Sequence, residues 1–205
     1  MMTKSLWIIW VIGFMSFANE STSQTIIELQ QQIKAGQLSS EALVQQGRAA
    51  MSEHRSLNAI ISVDKLAGEL ASAKLDTNNP GLLEGMTIVV KDNIHVAGLA
   101  NTAGTPALKH FIPSKNATVI ERLQNAGAII VAKTNLHELA YGITSNNPAF
   151  GPVGNAYRAN YIAGGSSGGT AVAVATGMAV AGLGTDTGGS SRIPAALNGI
   201  VGFRP

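Results

Sequence analysis

Residues 164–192 read GGSSGGTAVAVATGMAVAGLGTDTGGSSR. Two glycine-flanked serine pairs, Ser166-Ser167 and Ser190-Ser191, are joined by a run of small apolar residues. The first part of that run, Ser167 to Met178, predicts a helix of small residues. The second part, Ala179 to Gly184, predicts a buried strand that ends in Thr185-Asp186. Serines wrapped in glycine are expected where backbone must come close to a reacting group, and they add little to a packed core. A helix and a strand with polar loops at their ends fit one unit of a layered α/β fold.

The same alternation continues upstream. Ile26, Ile27, Leu29 and Ile33 fall on one side of a helix over 24–35, with Gly36 as its stop. Ser39-Ser40-Glu41 resembles the start of a second helix. A short strand is expected over Asn58 to Val63 and a helix over Lys65 to Lys74. The turn-rich stretch 76–81 then separates a helical N-terminal arm, 19–80, from a main body, 81–205. In the body, Met86 to Val90 is a buried-type strand that delivers Lys91 at its end. A helix over Ala117 to Ala126, a buried strand over Ala128 to Ala132 and a short helix over Asn135 to Tyr141 follow. The whole reads as a sheet layered with helices, its reactive groups at strand ends.

Composition narrows the chemistry. The 205 residues are 45% apolar and only 13% charged, with 23 glycines, as a globular α/β enzyme with a large interior would be. The net charge is +2 and no Lys/Arg-rich run is present, so no nucleic-acid partner is expected. The absence of cysteine excludes disulfides, thiolate zinc sites and a cysteine nucleophile within this chain. The start has the form of a secretory signal peptide over residues 1–18. Lys4 precedes the apolar run Leu6 to Phe17, and Ser16-Phe17-Ala18 gives a small-x-small cleavage pattern. A secreted or periplasmic protein with no stable membrane partner after cleavage is expected, the alternative being an uncleaved N-terminal anchor.

Several serine and histidine motifs compete. Gly164-Gly165-Ser166-Ser167-Gly168 matches a G-x-S-x-G nucleophile elbow, but His54, His95, His110 and His137 all precede Ser166, so the Ser…Asp…His order cannot be completed here. No Gly-Lys-Ser/Thr follows the glycines, which removes a P-loop. Ser62-Val63-Asp64-Lys65 matches S-x-x-K, yet its companion motifs fall in the wrong order. His137-Glu138 begins like H-E-x-x-H, but Tyr141 occupies the second ligand position. No metal or cofactor is therefore called for, and His137 is expected to be structural. A Ser/Ser/Lys constellation of Ser166, Ser190 and Lys91 remains. A serine hydroxyl needs a base, and lysine serves only when desolvation lowers its pKa. Lys91 follows the apolar or β-branched run Thr87 to Val90, which suits that role. A surface ion pair between Lys91 and Asp92 is the alternative.

At these residues the sequence resembles the amidase signature family of serine hydrolases. The matching segments are VVKDNIHVAGLANTAGTPAL (89–108), ERLQNAGAIIVAKTNLHELAYGITSNNPAFGPVGNAY (121–157), GGSSGGTAVAVATG (164–177) and GLGTDTGGSSRIPAALNGIVGFRP (182–205). Segment 142–155 is most similar to the branch holding indoleacetamide and mandelamide hydrolases. The resemblance implies a mixed twisted sheet covered by helices on both faces. It implies hydrolysis of a carboxylic amide to acid and ammonia or amine, with Ser190 as nucleophile, Ser166 as proton relay on a cis Gly165-Ser166 peptide, and Lys91 as base. Backbone N–H groups of Thr187, Gly188, Gly189 and Ser190 would form the oxyanion hole. Ser167, Asp186 and Arg192 would support the loop, and Asn93, Thr102 and Thr105 would line the region near Lys91. Ser191 departs from the apolar residue common after the nucleophile and is expected to sit against a polar neighbour, the alternative being that it tunes the pocket. In the family the segment ending at Pro205 continues into a second half. The resemblance therefore implies an N-terminal portion of the domain over 81–205, its sheet incomplete at the C-terminus, and a chain that alone is poorly soluble and inactive. The expected partner is a small-molecule amide, with a homodimer left open for the full-length protein. Two alternatives stand: the A subunit of a glutamine-dependent aminoacyl-tRNA amidotransferase, and an inactive remnant or binding protein.

Overall fold

The structure is a computed structural model that describes residues 24–73 and 81–205. The expected signal peptide and most of the turn over 76–81 lie outside the described residues. Helix α1 (Ile26–Lys34) opens on a capping box: Glu28 N–H donates to Thr25 Oγ1 at 3.2 Å, and Thr25 N–H donates to Glu28 Oε2 at 2.7 Å. It turns Leu29, Ile26 and Ile33 inward against Leu43 and Met86, whereas Ile27, placed on the same side by sequence spacing, is 67% exposed. Helix α2 (Ser40–Glu53) starts at Ser39, whose Oγ accepts from Ala42 N–H at 3.1 Å.

Strand β1 (Ile60–Val63) and helix α3 (Ala67–Ala73) come next, then β2 (Thr87–Lys91), α4 (Thr118–Asn125), β3 (Ile129–Thr134), α5 (Gly168–Ala175), β4 (Ala181–Leu183) and α6 (Arg192–Leu197). The four strands form one sheet in the order β1-β3-β2-β4. Strand β2 runs parallel to both neighbours, and β1 lies antiparallel on β3, so the sheet is mixed. Alternate strand residues point to opposite faces and fill two cores. Val89 and Val131 pack with Val44 of α2, Ala67 and Ala71 of α3, and Val172 of α5. Ile88, Val90 and Ile130 pack on the other face with Val96 and with Ile120 of α4.

One irregularity in this pairing decides which way the end of β3 faces. Ile88 stands opposite Ile130, but Val89 stands opposite Ala132, so β3 holds one residue more than β2 at that point. Such a bulge reverses the facing of everything beyond it. Val131 and Ala132 both join the first core, Lys133 falls opposite Val90, and Thr134 falls opposite Lys91.

The stretch expected as a separate helical arm is not a separate body. Strand β1 pairs with β3, and Leu57, Ala59, Ala67 and Ala71 share a core with Val89 and Val172. The helix expected over Asn135 to Tyr141 is also corrected. Asn135 N–H donates to Ala59 C=O at 2.8 Å, and Asn135 C=O accepts from Gly169 N–H at 3.1 Å, so its backbone is committed to neighbours on both sides. Only a 3-10 turn, Glu138–Ala140, remains, with Leu139 and Ala140 at φ 52 and 57. Among the described residues no helix is long and apolar enough to cross a membrane.

Candidate active site

Three chain segments converge at the ends of β2 and β4. Lys91 is the last residue of β2 and is wholly buried. Its Nζ lies 2.7 Å from Ser166 Oγ and 2.7 Å from Thr185 Oγ1, just past β4. Burial pushes its pKa down from 10.5 to about 7, while the Asp186 carboxylate pulls the other way. The surface ion pair with Asp92 does not exist. Asp92 is also fully buried, its backbone follows Lys91 directly, and its carboxylate meets Lys133 instead, at 2.8 Å.

Ser166 is buried at the entry to α5, and the Gly165–Ser166 peptide is cis. Its carbonyl accepts from His137 N–H at 3.1 Å and Ser145 Oγ at 3.4 Å. Gly165 is required here: a Cβ would come within 2.8 Å of Ser145 N and 2.9 Å of Thr144 N, both backbone atoms. Ser167 ties the two serine blocks together. Its N–H donates to Ser190 C=O at 3.0 Å, and its hydroxyl exchanges hydrogen bonds with the N–H and C=O of Thr185, each at 3.3 Å.

The turn carrying Ser190 is wound around Asp186. Asp186 accepts from Gly189 N–H at 2.7 Å and Ser191 N–H at 3.1 Å, and from Arg192 Nε and Nη2 at 3.1 Å each. The Arg192 guanidinium, helped by these backbone N–H groups, holds the Asp186 carboxyl well below the usual carboxylate range. Ser190 is half-buried, and its hydroxyl makes no hydrogen bond among the described residues. Gly189 N–H is already spent on Asp186, so the donors of this turn without a partner among the described residues are Thr187, Gly188 and Ser190.

Asn93 reaches the site, donating from Nδ2 to Thr185 Oγ1 at 3.1 Å. Thr102 does not; its N–H donates to Asp92 Oδ2 at 2.9 Å on the opposite face of the sheet. Thr105 N–H donates to Thr102 C=O at 3.0 Å, in the same loop. The side chain of Ser191 has no hydrogen bond among the described residues. The ring of His137 lies 3.3 Å from Thr144 Oγ1. Thr185 is the residue that sequence reasoning overlooked. Its one available signal was its place just past a strand that pairs with β2, beside the lysine.

This arrangement can abstract a serine proton with a dry lysine and hold a tetrahedral oxyanion on backbone N–H groups. The family model described as Amidase matches residues 42–205. The mandelamide hydrolase of Pseudomonas putida is 47% identical over 191 residues, which is 88% of this chain and 38% of that protein. The A subunit of the glutamyl-tRNA(Gln) amidotransferase of Deinococcus radiodurans is 40% identical over 185 residues, 89% of this chain and 38% of that protein. The solved native peptide amidase from Stenotrophomonas maltophilia superposes with a TM-score of 0.82 at 35% identity, covering 87% of this chain and 39% of its own. The chain thus spans well under half the length of these relatives.

Proposed function

The chain belongs to the amidase family, and from that premise we propose that its protein hydrolyses a small carboxamide through a seryl acyl-enzyme. The observation that carries this reading is the 2.7 Å approach of a dry Lys91 to Ser166, with the turn bearing Ser190 tied to the same loop. Neutral Lys91 takes the proton of Ser166 while Ser166 takes that of Ser190, and Ser190 Oγ bonds to the amide carbon. The carbonyl oxygen gains negative charge against the open N–H groups of Thr187, Gly188 and Ser190. The relay then runs backward and delivers a proton to the amide nitrogen. The C–N bond breaks and ammonia or an amine leaves. Water, deprotonated by the same relay, cleaves the ester and frees the acid. We also propose that residues 1–18 direct export, on the signal-like order of Lys4, apolar run and small-x-small site.

A second reading is favoured by the similarity to the amidotransferase protein, which covers as much of this chain as the mandelamide hydrolase does. It predicts ammonia release from glutamine. The test is a fluorophosphonate label mapped by peptide mass spectrometry, together with ammonia release from a panel of simple carboxamides and glutamine. The expected result is a single label on Ser190 and turnover of carboxamides in preference to glutamine, with Ser190→Ala losing about 1,000-fold or more of the activity. Turnover near the parent rate in Ser190→Ala would overturn the mechanism.

A further inference from the structure

The sheet buries a second lysine that the proposed reaction does not touch. Lys133 of β3 and Asp92 after β2 have side chains with no exposure at all, and Lys133 Nζ lies 2.8 Å from Asp92 Oδ1. Lys133 also reaches Ala100 C=O at 3.3 Å and Asn101 Oδ1 at 3.2 Å. The second carboxylate oxygen of Asp92 takes the N–H and the hydroxyl of Thr102. Removing both charges from water is expensive, and a well-packed apolar pair of similar volume often serves stability equally well. The pair therefore invites a reason beyond stability.

Its position supplies one. Asp92 is the sequence neighbour of Lys91, and a lone buried carboxylate there would hold a proton on the lysine that must shed it. The bulge in β3 turns Lys133 to the face opposite Lys91, where the Asp92 carboxylate lies. We infer that Lys133 is a positioning residue for the reaction: it cancels the charge of Asp92 so that Lys91 can stand neutral one residue away. This rests on Lys91 being the base. A salt-bridged pair or a pair sharing its proton is equally free of net charge, so the cancellation does not depend on where that proton sits.

The other charges around Lys91 are accounted for. Asp186, past β4, acts on it and is itself paired with Arg192. Strand β4 and helix α5 carry no titratable side chain. Helix α2 also touches β2, but its Glu41 and Glu53 are exposed, and its Arg48 is held by the carbonyls of Asp64 and Lys65. Asp92 is thus the buried acid nearest in sequence whose charge needs a separate partner.

The test is an NMR titration of the Lys91 Cε resonance, identified by its loss in Lys91→Met, in protein expressed from its complete reading frame. It needs no turnover, so a parent that hydrolyses nothing would refute the proposed function and still leave this inference to be judged. Lys133→Met should move the Lys91 titration up by about one pH unit, the size expected for one uncancelled charge across the sheet. The neutral pair Asp92→Asn with Lys133→Met should return it to within about 0.3 pH unit of the parent. If Lys133→Met does not fold, Asp92→Asn alone decides, because an uncancelled Lys133 cation should move the titration down. In an active parent, the acid limb of kcat/KM should follow the same order. A Lys91 titration unmoved in Lys133→Met, or in Asp92→Asn where that variant stands in, overturns the inference. So does a neutral pair displaced as far as Lys133→Met.

Discussion

Replacing Lys91 with methionine should make the protein inert and more stable at the same time. Methionine fills a similar volume and carries no charge to desolvate. The parent lysine titrates at about 7 in the folded state against 10.5 when exposed, which corresponds to about 5 kcal/mol of folding free energy forgone. The sign comes from proton counting. Between pH 7 and 10.5 the unfolded chain keeps this proton and the folded protein releases it, so parent stability rises with pH across that window, by about 1.4 kcal/mol per pH unit at most. Below pH 7 the cost is present in full, and above 10.5 it has vanished. Against this stand two lost hydrogen bonds, to Ser166 and Thr185, at about 1 kcal/mol each. The expected net gain for Lys91→Met at pH 7 is about 2–3 kcal/mol, shrinking and then reversing toward pH 10. Urea denaturation of parent and variant at pH 6, 7, 8, 9 and 10 reads this directly, with the difference between the two curves isolating the one titration. Parallel stability-versus-pH curves, or a variant less stable than the parent at pH 7, would refute the reasoning.

Two further outcomes are expected. Asp186→Asn removes the charge that raises the Lys91 pKa and loosens the turn bearing Ser190, so kcat should fall by about tenfold while the acid limb of the pH–rate profile moves to lower pH. An acid limb that moves upward would show that Asp186 acts on the lysine in some other way. Gly169→Ala should cost about 3 kcal/mol by denaturation, since the new methyl would lie 2.5 Å from Ala59 C=O and 2.7 Å from Asn135 N, backbone atoms that cannot swing aside. A loss below about 1 kcal/mol would mean that the α5 entry repacks easily.

The sequence spoke most clearly where local composition carries the structure. The apolar runs of β2 and β3, the small-residue helix α5 and the glycine-wrapped serines were all legible, because burial and close backbone approach leave a direct imprint on residue type. Segment 135–141 was not, since Glu138-Leu139-Ala140 has helical propensity while Asn135 is claimed by two backbone partners far away in sequence. Strand β1 looked like part of a detached arm because its pairing with β3 is long-range and leaves no local mark. The contact between Lys91 and Thr185 was hidden for the same reason, spanning 94 positions. The facing of Lys133 was hidden more deeply. Simple alternation along β3 from Ile129 puts it on the face of Lys91, and nothing in IIVAKT announces the bulge that moves it.

That extra residue in β3 behaves as a parity bit. Two lysines of similar appearance, each near the end of a buried parallel strand, are sent to opposite sides of one sheet by a single uncounted position. Pairing the same six residues without the bulge would set Lys133 opposite Lys91, delivering a second ammonium to the chamber where the proposed reaction needs a neutral amine and leaving a bare carboxylate behind. In this sheet it would exchange the wiring of two compartments.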